Sequence, residues 1–211
     1  MWSQKLGRVR IRARETGLGH GCVVLFERVF RQITAEYFRR NQPIIGGPGM
    51  TVELDETCVF KPKYQRGRRF RKHRWLFGRV ERGSGRCFVA LVKKRDANAL
   101  LNLISRHVRP GTTVITDMWR AYQNLALLPN GYKHLTVNHS LNFVNPQTGA
   151  HTQTIESMWQ KLKFQAKECY GINNVRYSDY LTEFMWRKEF GKPDEVLYNL
   201  FDQIAQIWPL R

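Results

Sequence analysis

Three carboxylates in this sequence stand where acid chemistry is possible. Asp55 falls mid-strand in VELDET, on the same parity as Glu53 and Thr57, whereas Val52, Leu54, Cys58 and Phe60 share the other parity. Glu56 falls on that apolar parity and ranks below Asp55 as a ligand. Asp117 closes the short apolar run TVIT just before a helical pattern, a place that an ordinary helix N-cap explains as well. Glu156 stands one position round from an apolar helical stripe. It heads a second stripe with Gln160, Lys163 and Lys167, at 4, 7 and 11 positions further on, which keeps them on one face; a solvated helix surface gives the same pattern.

If the three acids converge, they form an oxygen-only site suited to Mg²⁺ or Mn²⁺, hard ions that bind phosphate oxygens and keep several waters. Two such ions roughly 3.5–4 Å apart can clamp the attacking and leaving oxygens of an in-line phosphoryl displacement. Carboxylates that close together are tolerable only when cations neutralise them.

The elements that must position these acids are legible from periodicity. Residues 22 to 40 read as a helix, with Phe26, Val29, Phe30, Ile33 and Tyr37 on its stripe and Arg28, Arg31, Arg39 and Arg40 off it. Pro43 and Gly46-Gly47-Pro48-Gly49 break the chain and mark a boundary. Strands are expected over Thr51 to Lys61, Arg74 to Glu81 and Arg86 to Lys93, the last two joined at Gly83-Ser84-Gly85. Asp96 caps a helix with Ala97, Leu100, Leu101, Ile104 and Val108 on one face. A strand over Thr113 to Thr116, a helix over Trp119 to Leu128 and a strand over Lys133 to Val137 follow, then a loop from 138 to 151. Helices are expected from Thr152 to about Lys167, Tyr177 to Lys188 and Asp194 to Trp208. The order predicts an α/β domain, a mixed sheet flanked by helices. Trp119, Tyr122 and Trp159 fall at helical core spacing and read as core aromatics rather than as base-stacking platforms.

Composition points to the partner. The 211 residues hold 35 Lys+Arg against 17 Asp+Glu, a net charge of +18, and 42% hydrophobic content excludes a disordered basic tail. Charge of this size in a folded chain suits a polyanion, and nucleic acid is the usual one. Eight of the cations, Lys61, Lys63, Arg66, Arg68, Arg69, Arg71, Lys72 and Arg74, sit in one acid-free run expected to contact phosphates from a hairpin or loop beside Asp55. Lys163 and Lys167 extend that DNA-binding surface below Glu156. No apolar run approaches the 18 or more residues of a bilayer span, and Met1 to Arg14, with five basic residues, lacks a signal-peptide core. Cys22, Cys58, Cys87 and Cys169 form no C-x-x-C pair and read as free thiols of an intracellular protein.

GGPGMTVELDET, RWLFGRVE, RPGTTVITDMWRAYQNL, GYKHLTVNHSLNFVNPQTGAHTQTIESMWQKLK and YLTEFMWR, in that order, resemble the transposase domain of Merlin-type DNA transposons and their bacterial insertion-sequence relatives. The resemblance runs from about Gly46 to Arg187. It implies an RNase H-like fold and a DDE metal triad on Asp55, Asp117 and Glu156, with two Mg²⁺ or Mn²⁺ ions. Asp55 and Asp117 would be the shared ligands, and Glu156 would complete the second ion's shell. It further implies recognition of terminal inverted repeats in double-stranded DNA, cleavage at the transposon ends, joining of the freed 3′-hydroxyls to target DNA, and a homo-oligomer holding two ends. His139 and His151, and with less claim Asn138, fall in the same blocks, where each can touch a scissile phosphate or bond loop backbone. Family members commonly carry a zinc ribbon and a helix-turn-helix ahead of the catalytic domain. Val23 to Phe38 resembles only the last helix of that region, and the residues before it match none of it.

The expected organisation is a basic leader with a remnant helix over 1–45, the catalytic domain over 46–190 and a C-terminal helix over 191–211. The leading functional expectation is an intracellular DDE transposase, nuclear in a eukaryotic host. A catalytically lapsed, transposase-derived DNA-binding protein is the second, and an RNase H-like nuclease of other substrate the third.

Overall fold

In a computed structural model, residues 9–60, 74–168, 172 and 176–209 are described. They divide into two compact units, one holding residues up to 42 and from 164 onward, the other residues 43–163.

The second unit is built on a five-stranded mixed sheet. β1 (Thr51–Phe60) pairs antiparallel with β2 (Arg74–Glu81), which pairs antiparallel with β3 (Cys87–Val92); on its other side β1 runs parallel to β4 (Thr113–Asp117), and β4 parallel to β5 (Lys133–Val137). The order β3-β2-β1-β4-β5 is the topology of an RNase H-like sheet, as the sequence blocks imply. A short turn joins β2 to β3 because antiparallel neighbours need little chain. The parallel pair β1 and β4 requires a crossover, which includes α3 (Ala97–His107). Asp96 caps that helix as expected, its carboxylate accepting from the Ala99 N–H at 2.8 Å.

Alternation along β1 divides its side chains between two layers. Val52 and Leu54, fully buried, pack with Phe77, Val114 and the α3 residues Leu100 and Ile104. Glu53 and Asp55 face the other way, toward α4 (Gln153–Glu168), as their hydrogen bonds to Ile155 and Trp159 show. Ile155, Met158, Trp159 and Leu162 are buried, so the apolar stripe predicted for this helix is its core face. Glycine is required at position 78, the register partner of Asp55: a Cβ there would overlap the Trp159 ring. A buried arginine also belongs to this unit. Arg79 lies between the Phe77 and Phe88 rings, donates to the Leu103 carbonyl at 2.5 Å, and burial lowers its pKa to about 9.

The first unit is helical: α1 (Val9–Thr16), α2 (His20–Arg40), α5 (Tyr177–Phe190) and α6 (Val196–Ile207). Two sequence expectations need correction. The buried side of α2 is Val23, Arg31, Ile33, Thr34 and Phe38, while Phe26 and Val29 are exposed. Paired charges, Arg31 with Glu27 and Glu183, let an arginine occupy the buried face, and the stripe is rotated accordingly. The helix expected over Trp119 to Leu128 is instead two single turns of 3₁₀ helix, Arg120–Tyr122 and Leu125–Leu127. Tyr122 and Leu125 are buried three residues apart, a spacing that a 3₁₀ turn satisfies as well as an α-helix does.

Candidate active site

The parallel pairing of β1 with β4 runs as far as Glu53 opposite Ile115, so two residues further along each strand Asp55 stands level with Asp117. There β4 ends while β1 continues. A cavity of about 410 Å³ opens at this step, lined by Asp55, Glu56, Asp117, Arg95, Asn138 and His139 among others.

Asp55 is largely buried, and its pKa is raised to about 6, first by loss of water and then by the charges of Asp117 and Glu156. The Trp159 indole N–H donates to its Oδ2 at 2.9 Å and pulls the other way. Glu56 is pushed further, to about 8, again mainly by burial and then by Asp55 and Asp117, with the Arg95 charge opposing. One Glu56 oxygen is buried with no hydrogen-bond partner among the described residues. Asp117 accepts from the Trp119 N–H at 3.0 Å, so the carboxylate caps the turn that follows it while facing the cavity.

Glu156 lies in the first turn of α4. Its Oε1 accepts from the Thr152 hydroxyl at 3.1 Å, and the same hydroxyl lies 2.9 Å from His139 Nε2. A hydroxyl has one hydrogen to give. The consistent arrangement has His139 Nε2–H donating to Thr152, which donates to Glu156. Beneath this, Glu53, wholly buried, fixes the start of the helix: one oxygen accepts from the Ile155 N–H at 2.9 Å, the other from Arg82 Nε at 2.6 Å. Arg82 in turn donates to the His151 carbonyl at 2.7 Å.

Asp55 and Asp117 line the cavity together, and Asp55 feels the charge of Glu156, which is not among the cavity's lining residues; His139, which does line it, bonds Thr152 beside Glu156. Asn138 lines the cavity, its side-chain oxygen accepting from the Ser140 N–H at 3.0 Å. His151 points elsewhere: its Nδ1 is 3.6 Å from Glu53 Oε1, so it supports the brace under the helix. Lys163 and Lys167 are exposed on α4. The run from Lys61 to Lys72 lies outside the described residues, as does the side chain of Arg74. Trp119 is half-buried, packed against the core as expected and also lining the cavity; Trp159 is in the core and also bonds Asp55.

Sequence reasoning misses four contributors. Glu53 carries a signal, an acid between two apolar residues on the parity of Asp55. Glu56 ranks low for its apolar parity, yet both faces of β1 reach the cavity where β4 stops. Trp159 as a donor, and Arg95, have no local signature.

Among the described residues, no three His, Cys, Asp or Glu side chains are set as a ready metal cage. Asp55 Oδ2 is held by the indole and Glu156 Oε1 by Thr152. The donor set itself, crowded carboxylate oxygens with a pKa raised by burial and mutual repulsion, fits a hard divalent ion.

Residues 46–189 match the ISXO2-like transposase domain. The chain belongs to this transposase family. An uncharacterized transposase-like protein of Haemophilus influenzae is 27% identical over 100 residues, which covers 47% of this chain and 78% of that protein. Among solved structures, the simian T-cell lymphotropic virus intasome in complex with PP2A regulatory subunit B56 gamma aligns at 19% identity and a TM-score of 0.44, over 68% of this transposase chain. The alignment spans half of the intasome chain, 50%. The HTLV-2 integrase catalytic core domain in complex with magnesium aligns at 18% identity and a TM-score of 0.39, over 66% of this chain and 84% of that one. Among the described residues, no helix is long and apolar enough to cross a membrane.

Proposed function

We propose that this transposase chain is a Merlin-type DDE catalytic domain that cuts DNA at transposon ends and joins the freed 3′-hydroxyls to target DNA. The observation that carries this reading is the levelling of Asp55 with Asp117 where β4 ends, with Glu156 delivered by the first turn of α4. Asp55, Asp117 and Glu156 are the residues that would hold two Mg²⁺ or Mn²⁺ ions. Such ions would lower the charge on a phosphodiester and the pKa of an attacking water or 3′-hydroxyl.

The protein's own groups prepare the site. The Trp159 indole holds Asp55 in one orientation, the brace at Glu53 sets the start of α4, and the chain from His139 through Thr152 orients Glu156. No protein nucleophile is involved. The basic run from Lys61 to Arg74 and the lysines at 163 and 167 would hold the DNA backbone, the substrate being double-stranded DNA bearing terminal inverted repeats, engaged by a homo-oligomer inside the cell and in the nucleus of a eukaryotic host.

A plasmid end-cleavage and strand-transfer assay in Mg²⁺ tests the assignment: activity is expected to vanish in Asp55→Ala and Glu156→Ala, and unchanged products in either variant would refute it. Replacing Arg68, Arg69 and Arg71 together with Ala is expected to weaken binding to all DNA sequences alike and to shallow the salt dependence by roughly one unit for each phosphate interaction removed. An effect confined to one sequence would point to base readout instead.

A second reading is a DNA-binding protein that no longer cuts, which the net charge of +18 favours because it suits DNA binding whether or not the acids hold a metal. It predicts steeply salt-dependent binding that survives Asp55→Ala and no strand breakage in any divalent metal.

A further inference from the structure

Arg95 is the one lysine or arginine among the described residues that line the acid cavity. It stands just past the end of β3 and just before the α3 cap. Its guanidinium carbon lies 3.6 Å from the centre of the Trp75 ring and 4.7 Å from that of Trp119. Trp75 is the second residue of β2, and Trp119 belongs to the turn capped by Asp117, so separate parts of the sheet unit converge on this one side chain.

The way Arg95 is held decides what it can do. Stacking on indoles uses the flat faces of a guanidinium, whereas its five N–H donors lie in the plane and point outward from the edge. No hydrogen bond or ion pair among the described residues occupies those donors, although Glu56 is close enough to feel the charge. An arginine kept in a carboxylate-lined cavity only to neutralise an acid would be expected to bond that acid. This one is fixed by aromatic contacts with its donor edge left for something else. A planar fork of donors beside crowded carboxylates matches the non-bridging oxygens of a phosphodiester. The indoles also exclude water from the ion, which strengthens such an interaction.

We propose that Arg95, clamped by Trp75 and Trp119, is a phosphate-binding residue that holds one specific phosphate of the DNA strand in the acid cavity. This rests on the proposed DNA-cutting activity. It differs from the role expected of the exposed lysines on α4, because a rigid, stacked guanidinium selects one phosphate, whereas mobile surface cations are spread over many.

The test is a chemical double-mutant cycle on the full chain. Single methylphosphonate groups, which remove one phosphate charge each, are placed in turn at the scissile position and at the neighbouring positions on either side, and cleavage is measured in Mg²⁺ for the wild type, Arg95→Ala, Arg95→Lys and the control Arg106→Ala. If the wild type does not cut the unmodified DNA at all, the proposed function fails and this inference with it.

If it cuts, Arg95→Ala is expected to be about 10- to 100-fold slower on unmodified DNA, the scale of one charge-assisted hydrogen bond to phosphate. At one position the methylphosphonate should slow the wild type and Arg106→Ala by a similar factor while leaving Arg95→Ala unchanged. Arg95→Lys should recover little, since lysine neither stacks nor forks in the same way. Equal methylphosphonate effects at every position in wild type and Arg95→Ala would overturn the proposal. Full activity of Arg95→Lys would overturn the selective clamp, showing that charge alone suffices.

Discussion

The helical unit and the acid cavity of the sheet unit both hold charge away from water, and they treat it in opposite ways. In the helical unit Arg31 lies 3.9 Å from Glu27 and 3.6 Å from Glu183, over the Tyr180 ring; Arg187 bonds Glu183 at 2.8 Å, and Arg12 pairs with Glu27. Every acid in that network faces an arginine. At the cavity Asp55 and Glu56 are half-buried beside Asp117, with one indole and one stacked arginine as relief, and both pKa values rise. Neutralised charge inside a fold holds elements in register. Charge of one sign, left crowded at an opening, destabilises the empty protein and is tolerable where a cationic ligand completes it.

Removing a partner from the paired network should do the most damage. Glu183→Gln leaves Arg31 and Arg187 buried without their shared acid, and a destabilisation of about 3–5 kcal/mol is expected from urea unfolding. A change below about 1 kcal/mol would show that the helical network is worth no more than a surface ion pair.

The same kind of measurement on Asp55→Asn should move the other way, by up to about 3 kcal/mol of stabilisation at pH 8 without divalent metal, since the pKa of Asp55 rises from 3.8 to about 6. The folded pKa lies above the unfolded one, so the penalty is absent below the unfolded value of 3.8, grows as pH rises and is complete above about 6. The advantage of the variant should therefore shrink as pH falls from 6 toward 4. Mg²⁺ should raise the melting temperature of the wild type at pH 8 and leave Asp55→Asn almost unmoved. A variant less stable than wild type at pH 8 would break the contrast between the two units.

The smallest change sharpens the role of the indole. Gly78→Ala forces Trp159 off the sheet, at an expected cost of about 1–3 kcal/mol in stability, the usual scale of overpacking. Because Asp55 then loses its donor, end cleavage should fall by more than the stability change explains; activity retained in the folded variant would show the indole hydrogen bond to be dispensable.

Much of this is legible in the chain. The alternation of VELDET and the stripe of Ile155, Met158, Trp159, Leu162 and Ala166 mark the strand and helix that carry Asp55 and Glu156, because pleat and helix periods act over a few residues. The face of α2 is misread because Glu183 is far away in sequence: no local pattern announces that Arg31 will have a partner there. Glu56 ranks low on parity, a rule that holds inside a sheet and lapses where β4 stops and both faces of β1 meet a cavity.

The amino-acid sequence by itself determined the order of elements, the acids and their strands and helix, the sign of the charge and the transposase blocks. Tertiary structure alone decided which groups those acids would meet. Trp159 reaches Asp55 across a separation of 104 residues, Ile155 reaches Glu53 across 102, and Arg95 finds Trp75 and Trp119 from different elements. Such meetings depend on strand register and layer packing, which are set by the whole buried surface at once and by no short stretch of the chain.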